Sequence, residues 1–425
     1  MRGPAAQAAR LDMVRVSTRD IALAALAVFV FSIPYENGIR IAGIGTLARL
    51  IGYGAIGVVL LASLGHARIR LRVPSLFLLA AALYVLWGLA TYLWSINPSA
   101  TMTRGATLVQ LAAMAWMVHQ VGWTQRHRDV LAQAFVLGTY ASISVALIAF
   151  FTASQTGYRD VGGLNPNYFA IGCAFAVPVA WSLAVRAQRP LLFWLNALYP
   201  AFAILAVVLS ASRGGFITLL VALTVIPLSL SRMGPLRQAM VFAFVAAVAG
   251  ASFVAAPQVF ANLERNLERL GGTVEEIEEG TLTGRTGIWE AGFEVFRESP
   301  IIGHGYATFG VATSALTGRI RAAHNAFLSV AVGAGLIGLG MFVSLLLIAT
   351  VGVMRNPDRR VEYLVLLATL VVGMSPANLE HNKSVWFILS WLAAGRPLML
   401  VPPAWAQQLR QRLDSQRARG ADRLG

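Results

Sequence analysis

His324 opens the stretch His324-Asn325-Ala326-Phe327, where a long polar segment meets an apolar run. A neutral imidazole is the side chain best suited to take up a proton near pH 7. Two arginines occupy comparable junctions: Arg213 in Ser212-Arg213-Gly214-Gly215, and Arg285 in Gly284-Arg285-Thr286-Gly287. A guanidinium grips phosphate oxygens bidentately through its planar fork and stays charged at any relevant pH. A base beside two fixed cations at a lipid boundary points to chemistry on a lipid-linked phosphate.

Each of these residues also has a plainer reading. A lone interfacial histidine is often structural, and an arginine near an interface often snorkels as an anchor. Arg213 departs from that pattern because it lies outside, against the charge bias described below. The glycines at 214 and 215 leave room beside the backbone for a bulky ligand. Asn325 would orient His324 or a substrate hydroxyl. Arg49 lies roughly 12 Å inside its span at 1.5 Å per residue, so it should face the protein interior as a third cation. Asn167, in Asn165-Pro166-Asn167, and His304, in Gly303-His304-Gly305-Tyr306, are supporting candidates that equally read as a helix start and a turn. His381, beside Glu380 and Lys383, reads as part of an ordinary polar loop.

The elements that must position these residues are membrane helices. The chain has 425 residues, of which 57% are hydrophobic and only 12% charged, and its mean hydropathy is +0.66. Soluble domains carry about 25% charged residues, so this composition describes an all-α polytopic membrane protein. About twelve spans of near the required length are predicted, over 19–34, 41–64, 73–94, 105–123, 129–152, 168–185, 190–210, 213–231, 236–256, 325–352, 360–378 and 384–401. Glycines 333, 335, 338 and 340 make the tenth slim enough for close packing or a groove. The lone Cys173 sits in an apolar stretch, which leaves neither a disulfide framework nor a thiolate metal site. The basic, polar start of the chain lacks the pattern of a cleavable signal.

Net charge is +15, yet its placement argues for topology and against nucleic acid. Arginines recur in every second connection and in the C-terminal tail, which by the positive-inside rule puts both termini in the cytoplasm. The one long outer segment, 257–324, separates spans nine and ten and holds 9 of the 19 acidic residues. Leucines 263, 267 and 270 form a helical stripe within it, and the acidic run 275–279 reads as a solvated face. A helical subdomain over the outer membrane face is expected there. The chain therefore divides into 1–256, 257–324 and 325–425.

Absences narrow the chemistry. The sequence has no Asp-x-Asp pair, no His-Glu-x-x-His and no phosphate-binding glycine loop. Arginines would have to do what magnesium does elsewhere, and no cofactor or metal is expected.

His324-Asn325, followed after nine residues by Gly335-Leu336-Ile337-Gly338, resembles the periplasmic histidine signature of bacterial O-antigen ligases. Ser212-Arg213-Gly214, Gly284-Arg285-Thr286 and Asn165-Pro166-Asn167 are similar to other motifs of the wider O-antigen ligase/polymerase superfamily. Span number, cytoplasmic termini and the long loop agree, so the resemblance covers nearly the whole chain. It implies a metal-independent glycosyltransferase of the inner membrane with its site facing the periplasm. The donor would be O-antigen on undecaprenyl diphosphate, and the acceptor a sugar hydroxyl of lipid A–core. By the same motifs His324 would be catalytic, and Arg213 and Arg285 would bind the diphosphate.

O-antigen polymerases and O-linked protein oligosaccharyltransferases share such a donor and remain the alternatives. From another class, a transporter or polysaccharide flippase would place polar residues near the midplane and often show two similar halves. Here the polar candidates gather at the outer face, and no repeat is visible.

Overall fold

The computed structural model describes residues 17–36, 38–41, 45–64, 72–152, 161, 163–241, 243 and 285–395. The leucine stripe and acidic run of the long loop, most of the span expected at 236–256 and the C-terminal basic tail lie outside the described residues.

The first helix, α1 (Thr18–Ser32), starts at a capping box. Ser17 Oγ accepts from the Asp20 N–H, and the Asp20 carboxylate accepts from the Ser17 N–H at 3.1 Å. This satisfies two of the donors that a helix start leaves open. A two-residue ladder, β1 (Arg40–Ile41) with β2 (Gly45–Thr46), leads into α2 (Leu47–Leu64). Then follow α3 (Leu76–Ala90), α4 (Pro98–Val121), α5 (Gln125–Thr152) and α6 (Pro166–Arg186). The span expected over 190–210 is two helices, α7 (Pro190–Ala197) and α8 (Tyr199–Ser210). Next come α9 (Arg213–Leu223), α10 (Thr286–Glu298), α11 (Ala326–Met354), α12 (Arg360–Met374) and α13 (Lys383–Gly395).

Eight described helical stretches are long and apolar enough to cross a membrane. That is fewer than the twelve expected, for definite reasons. α4 is a full helix but more polar, carrying Arg104, Gln110, His119 and Gln120. α12 runs 15 residues, short of the length needed to cross alone, and α13 has 13 described residues, the end of its expected span lying outside the described residues. The ninth expected span falls mostly outside the described residues.

α6 is the centre of the bundle, packed on α5, α7, α8, α9 and α12. Its buried face is dense with small residues, among them Ala170, Cys173, Ala174, Ala176 and Ala180, which lets five neighbours approach one cylinder.

The helices run so that connections collect at two ends. At one end Glu362, fully buried, meets Arg186 and Arg232, each at 3.1 Å, and Arg359 grips Asp129 through two hydrogen bonds of 2.6 and 3.0 Å. Three arginines that read in sequence as topological charge therefore also brace helix ends. A buried carboxylate requires such partners. The opposite end carries residues 33–36, 45–49, 95–97, 165–167, 211–213, 285–325 and 375–382, and it holds the candidate site.

α11 is interrupted near that end. Gly335 has φ +67°, and the helix on either side diverges from one axis. The segment 299–308 lies against the break, so the freed groups find partners: His304 N–H to Val332 carbonyl, 3.0 Å; Gly305 N–H to Gly333 carbonyl, 2.9 Å; Leu336 N–H to Pro300 carbonyl, 2.8 Å. Trp87 Nε1 donates to the Ala334 carbonyl at 2.9 Å. Breaks in membrane helices persist where neighbours satisfy the released backbone in this way.

Candidate active site

Arg285 stands at the start of α10, an amphipathic helix whose apolar face buries Ile288, Ala291 and Val295. Ile288 and Val295 join Phe309, Ala323, Leu328 and Val332 in a small core separate from that of the bundle. This core fixes the described part of the 257–324 segment onto the first turns of α11. Trp289 Nε1 then donates to the Ala323 carbonyl at 2.9 Å, which ties the helix of Arg285 to the residue preceding His324.

His324 itself is in the left-handed region, at φ +47°. That conformation is uncommon for a residue with a Cβ, and its occurrence is a strain that surrounding contacts must hold. Its N–H donates to Asn378 Oδ1 at 2.6 Å. One residue on, Asn325 is the N-cap of α11, its Oδ1 accepting from the Leu328 N–H at 3.1 Å. Asn325 thus sets the helix start; the role expected for it, orienting the imidazole or a substrate hydroxyl, is not what this bond does.

Arg285 reaches the same loop from the other side, its Nη1 donating to the Pro376 carbonyl at 2.9 Å. Both residues are half-buried. Burial first, and the Arg285 guanidinium second, hold the His324 pKa below the ordinary imidazole value. Burial also lowers that of Arg285, though a guanidinium starts so high that its charge is retained.

Arg213 begins α9 behind its N-cap Ser212, whose Oγ accepts from the Gly215 N–H at 3.1 Å. The Ser212 hydroxyl donates to Asn167 Oδ1 at 2.8 Å, so the Asn165-Pro166-Asn167 motif anchors the turn that presents Arg213. The glycines here differ from the sequence expectation. A Cβ on Gly214 would stand 2.9 Å from Pro376, and one on Gly215 would stand 2.3 Å from the Ala170 side chain. Their bareness admits protein neighbours, not a ligand: they let α9 press against α6 and the 375–382 loop.

The remaining candidates separate. Arg49 is the third residue of α2, which begins at Leu47 after the β1–β2 ladder, so it lies in the first turn and not deep in the span as expected. Its Nε is buried with no hydrogen-bond partner among the described residues, and it lines a cavity with Lys383, Tyr53 and Gln110. Lys383 pairs with Glu36, whose Oε1 also accepts from Thr46 Oγ1 at 3.3 Å. His304 Nε2 bonds the Val295 carbonyl at 2.9 Å and its backbone joins the α11 break, so its visible work is to hold the 299–308 segment.

Sequence reasoning reads the 375–382 loop as an ordinary polar connection. Pro376 receives Arg285 and abuts Gly214, and Asn378 receives His324. Glu380, 3% exposed, accepts from Ser329 Oγ at 2.7 Å and, through its carbonyl, from Trp386 Nε1 at 2.9 Å. The one signal for it is a dense run of polar residues in a short connection otherwise flanked by apolar helices.

A family model described as O-Antigen ligase (Wzy_C) matches residues 198–343. That interval contains Arg213, Arg285, His324 and Gly335 and ends before Pro376. The chain is also similar to the Exopolysaccharide production protein ExoQ of Rhizobium meliloti (strain 1021), at 26% identity over 282 residues, 63% of this chain and 58% of that protein. The match thus spans less than two thirds of that relative's length.

Proposed function

We propose that this chain, which its two likenesses support as a member of the O-antigen ligase/polymerase superfamily, is an O-antigen ligase. It transfers O-antigen polysaccharide from undecaprenyl diphosphate to a sugar hydroxyl of lipid A–core at the periplasmic face of the inner membrane. The observation that carries this reading is the meeting of His324 and Arg285 on one loop. There, burial and the adjacent guanidinium favour the neutral imidazole.

The roles follow from the charges that move. The acceptor oxygen attacks the anomeric carbon as His324 takes its proton, and the bond from that carbon to the diphosphate oxygen breaks. Charge develops on the departing diphosphate. Arg213 and Arg285 hold it more strongly in the transition state than in the ground state, which is what lowers the barrier. Arg285 commits Nη1 to Pro376, and a guanidinium has five N–H donors in all. Direct displacement inverts the anomeric carbon. Asn167 supports the site as the anchor of the Arg213 turn, while Arg49 stands apart from it, in the first turn of α2 beside Lys383. The reaction is metal-independent, so a strong chelator leaves the rate unchanged.

A second reading rests on the relative's name. An exopolysaccharide production protein favours polymerisation, with a lipid-linked chain as acceptor. Expression in strains lacking either the ligase or the polymerase separates the two. Polymer restored on lipid A–core in the ligase-deficient strain is expected. Rescue of only the polymerase-deficient strain, from a single repeat to long chains, would transfer the protein to the polymerases.

A further inference from the structure

Three consecutive residues, 323 to 325, are held at the strained histidine. The carbonyl before it accepts from Trp289, the N-cap after it closes on Leu328, and its own N–H is taken by Asn378. The first two partners belong to the matched interval 198–343, whereas Asn378 comes from outside it.

The loop that presents Asn378 is itself fixed at both ends. Ser375 N–H returns to the Val372 carbonyl at 3.2 Å, Leu379 N–H to Ala377 at 3.1 Å and Asn382 N–H to Leu379 at 3.0 Å. Glu380, two residues on, is clamped by Ser329 and Trp386. A left-handed non-glycine residue is strained and survives only where surroundings over-determine it. Among the described residues Asn378 supplies the partner of the His324 N–H, at 2.6 Å.

We infer that Asn378 is the positioning residue of the base, its side-chain oxygen fixing the His324 backbone in the left-handed conformation that directs the imidazole. The proposal rests on His324 acting as the base. Asn378 touches no reacting atom. Pro376, two residues earlier, receives the Arg285 guanidinium and abuts Gly214 beside Arg213, so one short segment sets base and cations in register.

The test compares wild type, His324→Ala, Asn378→Ala and Asn378→Asp, purified in detergent and shown to be monodisperse. Transfer from undecaprenyl-diphosphate glycan to lipid A–core is followed across pH. Asn378→Ala should lower kcat by about 10²-fold with little change in donor KM, since a misplacement of about 1 Å costs on that order. Asn378→Asp keeps the acceptor oxygen and should recover most of that loss at alkaline pH. Its new negative charge beside the imidazole favours the protonated form, so the acid limb should move up by about one pH unit. Wild-type kcat in Asn378→Ala, with His324→Ala inactive, overturns the positioning role and spares the base. Failure of Asn378→Asp to recover activity or to move the acid limb also overturns it. An active His324→Ala overturns the base, and this proposal with it.

Discussion

Arg285 acts on His324 without bonding it: burial first and the guanidinium's charge second keep the imidazole below its ordinary pKa. Both are tethered to one loop, at Pro376 and at Asn378. On the roles proposed for them, the cation that holds the donor's diphosphate would also favour the neutral form of the base.

This coupling has a definite sign in the pH profile. A general base works when neutral, and a lowered pKa extends the neutral form to lower pH. The acid limb of kcat/KM for wild type should therefore fall below the imidazole reference of about 6.5. Arg285→Gln removes the charge and should shift the acid limb of its residual rate upward. An unmoved limb would mean that the titrating group is not His324.

Arg213 separates charge from geometry. Arg213→Lys keeps the cation but loses the planar fork, and transfer should fall by roughly 10²-fold, the scale of losing one transition-state donor. Near-normal rates would reduce Arg213 to a topological anchor. Protein yield and oligomeric profile of the variant check that the helix start is intact.

The break in α11 gives a stability prediction with an internal control. A Cβ on Gly335 would lie 2.1 Å from the Ile301 carbonyl oxygen, at φ +67°. Gly335→Ala should thus cost at least about 3 kcal/mol, from backbone strain and overpacking together. Gly340, in the same helix, has nothing within 4 Å of its added Cβ. Gly340→Ala should be neutral or slightly stabilising, because alanine is the better helix former. Thermal unfolding of both variants in one detergent distinguishes them.

Much of this site is legible in the amino-acid sequence. Hydropathy marks the eight described stretches long and apolar enough to cross a membrane. Junctions such as Ser212-Arg213 and His324-Asn325 mark helix starts, because a small polar residue before an apolar run caps the open N–H groups. Contacts between distant segments are what the sequence conceals. The glycines beside Arg213 read as room for a ligand, but the spatial neighbour is Pro376, more than a hundred residues on. The slim stretch 333–340 reads as close packing or a groove; Gly333 and Gly335 meet another backbone, and a break at Gly335 accompanies the docking of 299–308. Asn378 and Glu380 carry no local pattern that ties them to His324 or Ser329; their importance comes from what reaches them.

The central claim is that His324 is the base of a lipid-donor glycosyl transfer. The direct measurement uses purified protein, undecaprenyl-diphosphate glycan and lipid A–core, with wild type and His324→Ala compared in the presence of a chelator. The account predicts glycan on lipid A–core with inverted anomeric configuration for wild type, and none for a folded His324→Ala. Product of retained configuration, or equal product from His324→Ala, would contradict it.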